Sequence, residues 1–139
     1  MDIRGVPPSI VVTKADYARL SNLAEARGRA PLVRDYLAGE LDRARVVDDD
    51  QVGPDTVTMH SRFVFKDEST GEARTVSLVY PGEEDIDDGR ISILTPVGAA
   101  LLGLSEGQSI EWETRYGEPR TLTVLRLLSQ PSALPNPAS

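Results

Sequence analysis

The sequence predicts an α+β fold: a short antiparallel helical hairpin followed by a mainly antiparallel sheet that carries one further, very short helix. Three observations predict it. Apolar residues recur at helical spacing before Arg45 and at alternate positions after Thr56, so the period drops from about 3.6 to about 2. Between the two regimes lie Asp48-Asp49-Asp50 and Gly53-Pro54, a charge run and two helix breakers that read as a connection over Val46 to Asp55. The stretch from Arg90 to Trp112, RISILTPVGAALLGLSEGQSIEW, reads as strand, short helix, tight turn and second strand.

The first residues, with Pro7 and Pro8 ahead of Ile10-Val11-Val12, predict a loose start and a short extended lead-in. Thr13 with Asp16 three residues on has capping-box spacing, although Asp is a shorter return arm than Glu or Gln. Tyr17, Leu20, Leu23 and Ala24 then form one helical face, and Gly28 is a natural stop. From Pro31 a second face recurs through Val33, Tyr36, Leu37, Leu41 and Ala44. Neither helix can bury its stripe alone, so the two must fold back on each other. Roughly 14 residues in the first arm give a reach of about 21 Å at about 1.5 Å per residue.

Val57, Met59, Ser61, Phe63 and Phe65 alternate as a strand does, as do Val76, Leu78 and Tyr80 in the run from Glu72 to Tyr80, with a turn at Asp67 to Gly71. The loop Glu83 to Gly89 is rich in carboxylates. Thr95 suits a helix N-cap and Pro96 the first helical position, where a missing N–H is harmless. Gly103 suits the left-handed stop, and Ser105 to Gln108 supply turn residues. Two more strands are expected at Ile110 to Thr114 and Leu122 to Leu127, around a loop containing Gly117 and Pro119. The expected division is residues 1–50 for the hairpin, 51–130 for the sheet domain and 131–139 for a disordered, proline-rich tail. No repeat at a fixed period is visible.

The chain has 139 residues, of which 40% are hydrophobic, enough for one compact core. There is no cysteine and one histidine, which excludes disulfides and thiolate metal sites and fits a reducing cytoplasm. No window approaches the ~20 apolar residues of a membrane span, and no signal-like segment opens the chain, so it reads as soluble, unprocessed and unattached to a membrane. A net charge of −7 argues against a surface that grips a phosphate backbone, so no direct sequence-specific nucleic acid binding is expected. The same charge favours encounter with a basic patch on another protein.

No catalytic constellation is visible. The acidic loop Glu83 to Asp88 lacks the spacing of an EF-hand and reads as a solvated run, so no metal or other cofactor is expected. His60 and Ser61 are neighbours in an expected strand and would point to opposite faces, which prevents a nucleophile and base pair. Phe63, Phe65, Tyr80 and Trp112 read as core rather than as a ligand pocket.

The run Thr95-Pro96-Val97-Gly98-Ala99-Ala100-Leu101-Leu102-Gly103, followed by Gly107 and Trp112, resembles the C-terminal domain of the Gre transcript-cleavage factors. With Glu40-Leu41-Asp42-Arg43-Ala44, Val57-Thr58-Met59-His60-Ser61 and Leu78-Val79-Tyr80-Pro81, nearly the whole chain from Ile10 to about Gln130 is similar to the related regulator of nucleoside diphosphate kinase family. The resemblance implies an N-terminal coiled coil, an FKBP-like C-terminal domain and binding to RNA polymerase at its secondary channel. It also implies a docking role for Thr95, Pro96, Val97 and Gly98, with Leu101 as a further contact that competes with core packing. Gre factors hold a catalytic Mg²⁺ through acidic residues at the coiled-coil tip, because Mg²⁺ prefers hard oxygen ligands. Here the tip reads Glu25-Ala26-Arg27-Gly28-Arg29-Ala30-Pro31, where two arginines oppose a cation, and Asp35 lies about a turn behind. The implied function is a monomeric transcription regulator that competes with Gre-type factors without stimulating RNA cleavage, and so sets the level of nucleoside diphosphate kinase. Two other readings are a peptidyl-prolyl isomerase, by analogy with the FKBP-like fold, and a direct regulator of a cytosolic enzyme.

Overall fold

The computed structural model describes residues 10–26, 31–113 and 119–131. The expected tail from residue 132 and the hairpin tip at residues 27–30 lie outside the described residues. Strand β1 (Val11–Thr13) runs into helix α1 (Lys14–Glu25), and helix α2 (Pro31–Asp42) leads into strand β2 (Arg45–Val47). Thr13 caps α1 by accepting the Asp16 N–H at 3.2 Å. The Asp16 carboxylate does not close the expected box. It reaches across the fold instead and accepts the Met59 N–H at 3.2 Å. Arg34, in the first turn of α2, donates to the Leu23 carbonyl near the end of α1, so the chain doubles back between them.

β1 and β2 pair in parallel, with Val11 opposite Arg45 and Thr13 opposite Val47. This small sheet corrects the expectation that Val46 to Asp55 is connection throughout. The acidic run that suggested repulsion has counter-groups: Asp48 meets Lys14 at 2.7 Å, and Asp49 accepts the Ala15 N–H at 3.2 Å, holding the start of α1.

The main sheet contains β3 (Arg62–Asp67), β4 (Glu72–Val79), β5 (Arg90–Ser92), β6 (Ser109–Glu113) and β7 (Pro119–Ser129), in the order β5-β4-β3-β7-β6. Only the β4–β5 pairing is parallel. Helix α3 (Pro96–Leu101) crosses between β5 and β6. β3 starts later than the alternation from Thr56 predicts. Thr56 to Met59 and Ser61 are all buried, and the segment bends because the Ser61 hydroxyl accepts the Thr58 N–H and contacts the Thr58 hydroxyl, both at 2.8 Å. His60 sits on that bend with φ +66° rather than in a strand. The backbone polar groups of the bend are shared out singly, with Val57 donating to Leu104 and His60 donating to Leu78.

One hydrophobic cluster spans the expected domain boundary: Ile10, Leu20, Leu37 and Leu41 from the hairpin side join Phe63, Leu78, Leu101 and Val124 from the sheet side. Gly103 is the junction. Its N–H donates to Val57 and its carbonyl accepts from Val11, at φ +82°, and a β-carbon there would stand 2.5 Å from that of Ile10. Among the described residues no helix is long and apolar enough to cross a membrane.

Candidate functional site

Thr95 shapes the start of α3 from both sides. Its hydroxyl donates to the Ser92 carbonyl at 2.7 Å and accepts the Gly98 N–H at 3.1 Å, while its carbonyl accepts the Ala99 N–H at 2.9 Å. Pro96, at the first helical position, stands exposed, and Val97 is half-buried against the core. The expected docking set divides at this point. Gly98 is buried, and a β-carbon on it would lie 2.5 Å from the Ser92 carbonyl oxygen. Leu101 is 0% exposed. Both are seat rather than surface, because a helix less than two turns long has one inward face and theirs is that face. The presented edge is Thr95, Pro96 and Val97.

Of the expected tip residues, Glu25 ends α1 and is exposed, and Asp35 is exposed on the second turn of α2. Arg27 and Arg29 lie outside the described residues, as does the side chain of Trp112, which the sequence read as core. With 12 residues in each helix, the arms measure roughly 18 Å.

A second cluster, at the foot of the hairpin, was not visible as a unit in the sequence. His60 Nε2 meets Glu83 Oε1 at 2.9 Å, and the same oxygen accepts the Tyr80 N–H at 3.0 Å. The Arg19 guanidinium lies 3.7 Å from the centre of the Tyr80 ring, and the Tyr80 hydroxyl approaches Asp16 at 3.5 Å. Burial raises the Asp16 carboxyl above its ordinary value, against the pull of the Met59 N–H. The His60 hydrogen bond, seconded by the Tyr80 N–H, lowers that of Glu83. Burial, and then the Asp16 charge, raise the Tyr80 phenol. The cluster pins α1 to the bend before β3 and to the end of β4. Its sequence signal was the pair of segments Val57 to Ser61 and Leu78 to Pro81, which periodicity read only as strands.

Among the described residues no group of three His, Asp or Glu side chains converges to hold a metal. The acidic loop uses its carboxylates locally: Glu84 accepts the Gly82 N–H, Asp85 accepts the Asp87 and Asp88 N–H groups, and Asp88 pairs with Arg90 at 2.9 Å.

Residues 51–128 match the family model described as "Transcription elongation factor, GreA/GreB, C-term", and residues 8–47 match "Rnk N-terminus". The regulator of nucleoside diphosphate kinase from Escherichia coli strain K12 is 42% identical over 127 residues, 91% of this chain and 93% of that protein. The chain belongs to the regulator of nucleoside diphosphate kinase family. The GreA transcription elongation factor of Desulfovibrio desulfuricans is 34% identical over 93 residues, 67% of this chain and 57% of that one. The fold agrees with this placement. A solved prokaryotic transcription elongation factor GreA/GreB from Nitrosomonas europaea superposes with a TM-score of 0.69 at 40% identity, covering 86% of this chain and 98% of that one. One family match ends at residue 47 and the other begins at residue 51, and the hydrophobic core draws on residues from both spans.

Proposed function

We propose that this chain is a cytoplasmic transcription regulator that binds RNA polymerase at the secondary channel, competes there with Gre-type factors without stimulating RNA cleavage, and thereby sets the level of nucleoside diphosphate kinase. Family membership supports the general class, and one observation carries the docking assignment: Pro96 is exposed on a helix start that Thr95 and the buried Gly98 hold in one geometry. A rigid exposed edge loses little conformational freedom on binding. The absence of cleavage stimulation rests on the tip sequence, where Arg27 and Arg29 stand on either side of Gly28 in the chain and their charge disfavours a cation, and on arms of 12 residues. Contact with a basic rim suits a chain of net charge −7.

The test is co-purification with RNA polymerase. Pro96→Ala together with Val97→Glu abolishes the association while the far-UV signal of the folded chain is kept; an unchanged pull-down refutes the docking edge. In a stalled-complex assay the wild-type chain releases no cleaved RNA and suppresses cleavage by an added Gre factor. Cleavage stimulated by this chain alone would refute the functional reading.

A further inference from the structure

The bend before β3 turns on His60, whose backbone N–H donates to the Leu78 carbonyl at 2.6 Å while its φ is +66°. Among the described residues it alone, apart from glycines, has a positive φ. That conformation favours glycine, so a large side chain there is sustained by what it touches. The ring stands at 64° to the Tyr80 ring with centroids 5.6 Å apart, and Nε2 meets Glu83 Oε1 at 2.9 Å.

Charged groups face this histidine from every element around it. Asp16 comes from α1 and holds the Met59 N–H next door. Asp49 and Asp50, from the 3₁₀ turn Asp49–Gln51, line with Asp16, Met59, His60 and Pro131 a hollow of about 400 Å³. Glu83 comes from the loop after β4, where the oxygen that meets His60 also accepts the Tyr80 N–H. The Arg19 guanidinium lies over the Tyr80 ring, Lys14 is taken by Asp48, and burial keeps the Tyr80 phenol neutral. With a neutral imidazole, four carboxylates are left to repel one another across the joint against one guanidinium. An imidazolium sets a second positive charge among them, and its bond to Glu83 becomes one between two ions, which is stronger.

We propose that His60 is a proton-operated latch: charged, it draws the foot of α1, the 3₁₀ turn and the loop after β4 onto the bend, and neutral, it lets them part. The carboxylates gather round the ring only in the closed joint, so closure and protonation favour each other. The joint is therefore tightest in mild acid and loosens as pH rises through about 5 to 8, where histidine changes charge. With His60 41% and Glu83 45% exposed, water screens the pair, and the change in local opening is about threefold. The latch lies apart from the Thr95–Val97 edge and does not depend on its role.

The test is amide hydrogen exchange on the full chain at pH 5.5, 6.5 and 7.5, each rate corrected for the intrinsic pH dependence of exchange. The amides read are Met59 and Tyr80, bonded to Asp16 and Glu83, with Val124, bonded to Gln108 in the sheet, as reference. Relative to Val124, protection of the two joint amides falls about threefold from pH 5.5 to 7.5. His60→Asn, which tolerates the left-handed backbone, abolishes that fall. Glu83→Gln keeps the ring, removes its counter-charge and shrinks the fall, and it decides the matter if His60→Asn does not fold. Burial, which raises the Asp16 carboxyl, gives a dependence of the same sign, so Asp16→Asn separates the two and keeps the fall. Protection that does not change with pH overturns the proposal, as does a fall that survives His60→Asn or vanishes in Asp16→Asn.

Discussion

At the scale of single residues, Asp16 and Glu83 hold the same joint with opposite electrostatics. Burial raises the Asp16 carboxyl above its ordinary 3.8, so just above that pH the native chain binds more protons than the unfolded one. The stability this group contributes therefore falls as pH rises through its native value. Glu83, held below 4.5 by His60, contributes stability that is full above 4.5 and lost as pH falls through its lower native value. Urea midpoints measured across the acid range check both signs. Asp16→Asn keeps an acceptor for the Met59 N–H and gains on the wild type as pH rises from about 4 towards neutrality. Glu83→Gln is weaker than the wild type at neutral pH and converges with it in acid. Asp16→Ala leaves the Met59 N–H without its acceptor and costs about 1–3 kcal/mol at neutral pH.

At the scale of elements, two helical glycines separate what packing requires from what it merely tolerates. Gly98 lies where any β-carbon meets the Ser92 carbonyl oxygen at 2.5 Å, so Gly98→Ala displaces α3 from its seat and costs about 1–3 kcal/mol in urea unfolding. Gly39 is exposed in the middle of α2 with nothing within 4 Å of a β-carbon. Gly39→Ala therefore stabilises the chain by about 1 kcal/mol, read as a higher urea midpoint at unchanged slope. α3 itself depends on its cap: Thr95→Ala removes the acceptor of the Gly98 N–H and costs about 1 kcal/mol.

At the scale of the whole molecule, the hairpin is built into the sheet rather than mounted on it. Ile10, Leu20 and Leu37 are each 0% exposed in the cluster that contains Phe63 and Leu101. Helix content by far-UV dichroism and the fluorescence of the sole tryptophan, on β6, consequently fall together in one denaturant transition. Two separated transitions would instead mark the hairpin as an independent domain. Charge acts at this scale too. With a net −7, association with a basic partner slows as salt rises, and the check is the association rate over increasing ionic strength.

The sequence by itself determined the elements whose causes are local. Thr13 and Thr95 cap, Pro96 starts and Gly103 stops, and the two apolar periods separate the helices from the sheet, since each depends on residues within a turn or a strand of one another. The family resemblance lay in the same short runs, and so did the expected docking set of Thr95, Pro96, Val97 and Gly98 with Leu101. Only the tertiary structure decided that Leu101 and Gly98 face inward, that Thr56 to Ser61 bend, and that Arg45 to Val47 pair with β1. It alone brought Asp16 to Met59, 43 residues away, and to Tyr80, 64 residues away. Those outcomes depend on which distant group fills a space or accepts a proton, and periodicity, which compares each residue only with its near neighbours, does not contain that information.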